Sequence, residues 1–263
     1  MLLIILVGLG ALLVSGLTFF SGFGLGTLLL PFFLIVFPPA VAVAAVAVVH
    51  LLNNIFKFTL IGGYTVWKVV AVFGLPAVAA SYAGARMLDL LQGSPPLAVY
   101  SFMGRDAAIT PAGLVIGVLI FFFAFFDLLP SLHDLRIGRR LLPLGGALSG
   151  FFGGISGHQG AMRATFLVKA GLGREGFIAT GIACAILVDV TRLTVYGMTF
   201  LTGSYETVAT RGNLTMLVVA TLSAFLGAFI GRQLLHKTTL RSIRILVGAL
   251  MLITGVLVSV GIV

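Results

Sequence analysis

Long apolar runs with almost no charged residues constrain this chain more than any other feature of its sequence. Three runs lie in the first half and three in the second, at residues 40–61, 69–88, 107–126, 176–201, 213–235 and 240–263. Each is long enough to cross a hydrocarbon core of about 30 Å as an α-helix. Because lipid offers the backbone no hydrogen-bond partners, apolar segments of this length span as helices. The sequence therefore predicts an all-α polytopic membrane protein.

The composition agrees with this class and excludes an ordinary soluble domain. Of 263 residues, 60% are hydrophobic and 9% are charged, and the mean hydropathy is +1.21. The formal net charge of +9 is that of a basic protein. In a membrane protein we attribute it to basic loops kept in the cytoplasm, and we expect no nucleic-acid partner.

Two glycine-rich, polar stretches interrupt the apolar pattern, at residues 15–27 and 149–163. Glycine continues a helix only at a cost and allows backbones to approach closely. A short apolar piece follows each stretch, and neither piece is long enough to span a core of about 30 Å. We therefore expect two helical hairpins, each broken at glycine, whose second arm is re-entrant or strongly tilted.

The second half of the chain repeats the plan of the first. One constant offset takes Ser21 to Ser156, Asn54 to Asp189 and Lys57 to Arg192. The predicted organisation is a first repeat at 1–126, a linker at 127–140 and a second repeat at 141–263. Each repeat would contain one glycine-broken hairpin and three transmembrane helices, which gives 8–10 membrane segments.

The basic residues near span ends predict the topology. With the central linker inside, the inner set is Lys68, Arg136, Arg139, Arg140, Lys169, Arg174, Arg232, Lys237, Arg241 and Arg244. The outer set is only Arg86, Arg105 and Arg211. This bias favours a cytoplasmic linker. Each half then makes an odd number of crossings, so the two repeats have inverted topology, which is typical of transporters with a site near the midplane.

The glycine breaks are the first candidate site. A short helix that begins in the membrane presents unpaired N–H groups and a partial positive charge, which attract anions. The candidate substrate-binding residues are Ser21, Gly22, Gly24, Gly26, Thr27, Ser156, Gly157, His158, Gln159, Gly160 and Arg163. The alternative is that the glycines serve only close helix packing. The polar side chains of the second break favour a site, because a polar group in lipid needs a partner or a cavity.

A second constellation consists of Asn54 and Lys57 with their counterparts Asp189 and Arg192. A spacing of three residues puts each pair on one helix face, where Asp189 and Arg192 can form an ion pair. Two cations related by a pseudo-two-fold axis would flank an anion pathway, with a pathway or gating role. Snorkelling to the interface with a structural ion pair is an equal alternative. His50, in mid-span, is interpreted as a satisfied core histidine.

Signatures of soluble enzymes are absent from the sequence: it has no HExxH, GxSxG or Walker A motif. We expect no cofactor and no metal site, and we expect that the protein is not an enzyme. An intramembrane enzyme that uses His158 with Cys184 or Asp189 is a weaker alternative, since paired carboxylates and metal-ligand spacings are missing.

The duplicated break resembles the sulfite exporter TauE/SafE family. The resemblance is carried by residues 21–31 and 153–160, and by the Gly84–Arg86 and Gly231–Arg232 helix ends, and it extends over essentially the whole chain. It implies transport of small anions, such as sulfite or C2–C3 organosulfonates like sulfoacetate. His158, Gln159 and Arg163 depart from the plain glycine-rich second break of the family, and this difference points to an organic anion.

The sequence thus predicts a secondary transporter in the inner (plasma) membrane. It would export small sulfur-containing anions by alternating access, with the anion held at the two breaks. An anion channel and an importer of a small anion are the alternatives. The expected partners are the anion and the lipid bilayer, and a homodimer is left open.

Overall fold

The computed structural model describes residues 2–19, 24–128, 138–201, 211–234 and 240–262. The described residues form ten α-helices and one β-hairpin. The helices are α1 (Leu2–Thr18), α2 (Leu25–Leu34), α3 (Pro39–Ile61), α4 (Trp67–Gln92), α5 (Pro111–Leu128), α6 (Leu142–Ser156), α7 (Gly160–Leu167), α8 (Arg174–Leu201), α9 (Arg211–Leu234) and α10 (Leu240–Ser259). Short 3₁₀ turns at Gly62–Tyr64 and Arg139–Leu141 precede α4 and α6.

Both glycine-rich stretches break the helical chain as the sequence predicts. The first break lies between α1 and α2 and the second between α6 and α7. Gly24 precedes α2 with φ of 106°, and Gly157 ends α6 with φ of 81°. Both values lie in the left-handed region, where glycine is favoured because it has no Cβ. The helices that follow have only 10 and 8 residues, so neither crosses a bilayer alone.

Four helical segments are long and apolar enough to span a membrane by length and composition: Pro39–Tyr64, Trp67–Gln92, Arg174–Met198 and Asn213–Gly231. Among the described residues, the distribution of side chains is that of a membrane protein. Leu75 and Leu222 are 70% and 61% exposed, whereas Asp189 and Arg192 are fully buried. Large apolar residues therefore face outward and charged residues inward. The prediction of an all-α polytopic membrane protein is confirmed.

The helices pack in pairs that correspond between the two halves. Helix α4 packs along α6, and α1 packs along α9 in the same way; α3 meets α8, and α5 meets α10. Glycine permits both long crossings: a Cβ on Gly150 would overlap the carbonyl of Ala77, and one on Gly227 would overlap that of Leu12. Backbones in membrane proteins approach this closely at small residues.

A β-hairpin between α4 and α5 is absent from the sequence-based prediction, in which residues 107–126 form a continuous span. Strand β1 (Ala98–Phe102) pairs antiparallel with β2 (Arg105–Ile109), and the turn residues Met103 and Gly104 have φ of 51° and 78°. Positive φ at both turn positions matches the twist of a two-residue hairpin. Helix α5 therefore begins later than predicted, at Pro111, a residue suited to the first helical turn.

Candidate functional site

The two breaks lie against each other in the interior. A Cβ built on Gly26, in the first turn of α2, would lie 3.6 Å from the carbonyl oxygen of Gly157. The same Cβ would lie 3.5 Å from the His50 ring on α3. Gly24 and the buried Thr27 belong to the same turn, while Ser21 and Gly22 lie outside the described residues. The beginning of α2 is thus beside the end of α6.

Side chains of the second break are buried and mostly paired. Ser156 donates to the carbonyl of Phe152 at 3.1 Å, and His158 Nδ1 lies 3.0 Å from Ser156 Oγ. The His158 ring stacks on Phe123 of α5, with 5.3 Å between the ring centroids. His158 Nε2 is buried and has no hydrogen-bond partner among the described residues, which is unusual for a buried polar atom.

Asp189 is the centre of the polar network. Its Oδ1 accepts from Arg192 Nε at 3.0 Å, from Arg192 Nη2 at 2.8 Å and from Gln159 Nε2 at 2.9 Å. Its Oδ2 lies 2.6 Å from His50 Nδ1. Asp189 and Arg192 form the ion pair that their spacing on α8 predicts. The carboxylate joins α8 to the second break through Gln159 and to α3 through His50.

Gln159 extends this network toward α7. Its Oε1 accepts from Arg163 Nη1 at 3.0 Å, so the amide bridges Asp189 and Arg163. The backbone carbonyl of Gln159 accepts from Ser149 Oγ at 2.9 Å. Gln159, which directly precedes Gly160 at the start of α7, is therefore hydrogen-bonded through both its side-chain amide and its backbone carbonyl.

His50 is a buried histidine with hydrogen-bond partners, as the sequence-based interpretation expects, and it also adjoins the candidate site. It connects α3 of the first half to Asp189 of the second half, and Asn54 lies one turn away with Nδ2 at 3.1 Å from His50 Nδ1. The spacing of four residues between two polar side chains in an apolar helix was the available signal. The sequence does not show that Asp189 faces them, because residue contacts between distant helices leave no local pattern.

Lys57 occupies a different environment from Arg192. It is 4% exposed, and its Nζ lies 5.5 Å from the centroid of the Phe19 ring. With the Asn53 amide oriented to satisfy both its ends, the amide oxygen accepts from Lys57 Nζ at 3.2 Å. No ion pair of the described residues includes Lys57. This cation is held by an amide and an aromatic face without a carboxylate.

A small recess opens beside Lys57, with room in this conformation for about one water molecule. Its lining is Thr18, Phe19, Leu25, His50, Asn54, Lys57 and Ile182. Leu25 is the first residue of α2, so the N-terminal turn of that helix adjoins the recess. The recess thus combines one ammonium group, one amide, an imidazole and an apolar wall.

The charges of the interior do not balance. Among the described side chains, the buried charged residues are Lys57, Arg163, Asp189 and Arg192, which are three cations and one carboxylate. Excess buried charge is costly in a low-dielectric interior unless a counter-ion is supplied. Within the described part of the chain, no cluster of three or more His, Cys, Asp or Glu side chains could hold a metal ion. The arrangement is suited to an anion.

Comparison with known proteins identifies the family. The family model for the sulfite exporter TauE/SafE matches residues 4–258, nearly the whole chain. A search of curated proteins finds no significant match to the chain. The family is one of membrane transporters, in agreement with the helical membrane fold and the cationic interior. The resemblance seen at the duplicated glycine breaks is therefore confirmed, and the chain belongs to the sulfite exporter TauE/SafE family.

Proposed function

We propose that this protein exports a small sulfur-containing anion, sulfite or a C2–C3 organosulfonate such as sulfoacetate. The observation that carries the proposal is the charge imbalance of the interior: the described buried side chains include three cations and one carboxylate, and one of these cations, Lys57, lines a recess. A bound anion would supply the missing negative charge. The family match supports the same class of substrate.

The recess beside Lys57 is the proposed position of the anion, at the junction of the two breaks. Lys57 would contribute charge, and Asn54 and the N–H groups at the start of α2 would contribute hydrogen-bond donors. The recess would have to widen during transport to admit the anion, and its apolar wall of Phe19, Leu25 and Ile182 would then contact the short carbon chain of an organosulfonate. Arg192 Nη1, which is buried near Gly157 and has no hydrogen-bond partner among the described residues, would extend the donors toward the second break.

We further propose that residues 1–126 and 141–263 are inverted repeats joined by a cytoplasmic linker. The corresponding helix order and the corresponding packing pairs α4–α6 and α1–α9 support two equivalent units. Relative motion of such units around a central site would give alternating access. The direction of transport follows from charge, because a membrane potential negative inside drives each negative charge outward with about 2.3 kcal/mol per 100 mV.

Sulfite counterflow in proteoliposomes tests the proposal. A carrier that alternates between two states will accumulate labelled sulfite against an excess of unlabelled sulfite on the inside, whereas a channel will only equilibrate the label. We expect saturable counterflow in the natural protein. Absence of sulfite flux would contradict the proposed substrate, and flux without counterflow would favour a channel.

Gln159→Ala adds a test of the site. Gln159 links Asp189 to Arg163, and its loss leaves two buried charges with one fewer hydrogen bond each. We expect sulfite counterflow to fall by about tenfold or more, because hydrogen bonds to charged groups are worth about 1.5–3 kcal/mol. Gln92→Ala, at the end of α4, is the matched control and should leave counterflow unchanged.

A further inference from the structure

Asp189 stands out because the donors around it are those that an anionic ligand would need. It is fully buried and is the only carboxylate among the buried side chains that the structure describes. Its two oxygens lie 2.6–3.0 Å from side-chain nitrogen atoms of Arg192, Gln159 and His50. Sulfite and sulfonates likewise present several oxygens to guanidinium and amide donors. The donors around Asp189 are therefore of the type that would bind the substrate.

The contact between Arg192 and Asp189 leaves part of the guanidinium unused. Nε and Nη2 both donate to Oδ1, whereas Nη1 is buried and has no hydrogen-bond partner among the residues that the structure describes. A Cβ on Gly157 would lie 3.1 Å from Nη1, so glycine at this position lets the guanidinium pack directly against the backbone of the second break. Nη1 and Nη2 form one edge of a planar fork suited to two oxygens of an oxyanion. An incoming anion that takes this edge competes with Asp189.

We propose that Asp189 is a built-in substitute anion that competes with the transported anion for Arg192. Without substrate, it offsets the charge of Arg192 and keeps the interior stable. When substrate is bound, Arg192 interacts with both the substrate and Asp189. The repulsion between these two negative charges favours release of the substrate. Asp189 is thus a positioning residue that acts through Arg192 and sets the affinity and the release rate. This inference rests on the proposed function and names how its site is regulated.

Asp189→Asn isolates the charge of this side chain from its shape. The asparagine amide has the same size, and its oxygen would accept from Arg192 and Gln159 as Oδ1 does. Its NH₂ group would replace Oδ2 and donate to His50 Nδ1 of the neutral ring. The hydrogen bonds are preserved while the competing charge is removed. A merely structural ion pair would predict weaker binding, because the site would lose order.

Titration of the detergent-solubilised protein with sulfite or sulfoacetate, in a buffer whose bulk anion is gluconate, tests the inference. We expect the Kd of Asp189→Asn to be about tenfold below that of the natural protein, within the range typical of coupling between sites. In counterflow, both KM and kcat should fall, because tight binding slows release. Asp89→Asn removes a partly buried carboxylate that lies three residues from an exposed arginine, Arg86, and should leave Kd, KM and kcat unchanged.

Each result separates the inference from the proposed function. If the natural protein binds neither sulfite nor sulfoacetate, the proposed function is contradicted. If it binds either anion and Asp189→Asn binds that anion equally or more weakly, the substitute-anion role alone is contradicted. Should Asp189→Asn aggregate in gluconate, purification in sulfite decides: recovery of folded protein supports the role, because the anion replaces the lost charge, and continued aggregation contradicts it.

Discussion

The two glycine breaks have the same backbone plan but different side chains. The first break adjoins, through Phe19 and Leu25, a recess whose single cation, Lys57, is held by neutral groups. The second break presents His158 and Gln159 to a closed network. The first side therefore leaves its cation beside a recess, whereas the second side holds its charged groups in hydrogen bonds.

This difference explains how a charged cluster is kept in a membrane interior. Asp189 offsets the charge of Arg192 within the second half, where the ion pair is completely buried. Lys57 has no such carboxylate among the described ion pairs, so its charge is available to a ligand. Two helix arrangements with corresponding packing therefore differ in their side chains: one pairs its cation with a carboxylate, and the other leaves its cation beside a recess.

Arg192→Gln should have the largest effect of the series, and we expect that effect on the stability of the fold around the second break. It leaves Asp189 buried without its cation, and breaking a buried ion pair typically costs about 3–5 kcal/mol. We expect a strong decrease in monodisperse protein and in Tm, measured by size exclusion and by thermal unfolding in detergent. Arg86→Gln removes the exposed arginine of the Arg86–Asp89 pair and should cost about 1 kcal/mol or less. Equal losses in the two variants would refute the structural role of the second side.

Lys57→Gln should separate transport from folding on the first side. Its cation lacks a carboxylate among the described ion pairs, so a neutral amide can replace it without leaving a buried charge unpaired. We expect an unchanged Tm but a loss of sulfite counterflow of about 10–100-fold, from hydrogen bonds worth about 1.5–3 kcal/mol. Lys68→Gln, at an exposed lysine next to the start of α4, is the control. Normal counterflow in Lys57→Gln would remove Lys57 from the pathway.

Gly157→Ala and Gly26→Ala compare the two breaks directly. At Gly157, the added Cβ requires an unfavourable φ of 81° and lies 3.1 Å from Arg192 Nη1. At Gly26, the Cβ makes ordinary contacts at 3.5 Å and beyond. We expect Gly157→Ala to lower the free energy of unfolding by about 1–2 kcal/mol. Gly26→Ala should fold normally, and equal thermal unfolding of both variants would argue against the tighter second break.

Ser149→Ala should have the smallest effect of the series. It removes the hydrogen bond from Ser149 Oγ to the carbonyl of Gln159, which is worth about 1 kcal/mol. We expect a small decrease in Tm with sulfite Kd changed by less than about threefold, since the Gln159 side chain keeps both its partners. Ser94→Ala at the exposed end of α4 serves as the comparison. A complete loss of sulfite binding would show that Ser149 contacts the ligand.

Much of the fold was predictable from periodicity and length, because apolar runs in lipid have few alternatives to a helix. Both breaks were predictable as well, because the sequence has glycine where the backbone needs a positive φ. The end of β2 was assigned to a span because residues 107–109 continue the apolar pattern of the helix that follows. Asp189 and Arg192 were predictable as a pair from their spacing on one helix face. The contact between His50 and Asp189 joins helices far apart in the chain, and no sequence spacing specifies it.

Locating a bound anion tests the central claim most directly. Selenite has nearly the shape and charge of sulfite, and selenium scatters anomalously, so a crystal grown with selenite would show the position of the anion. We predict one buried selenium peak at the junction of the breaks, with oxygens within hydrogen-bond distance of Lys57 Nζ or Arg192 Nη1. A peak only at the protein surface, under conditions where sulfite competes for binding, would contradict an anion site formed by the two breaks.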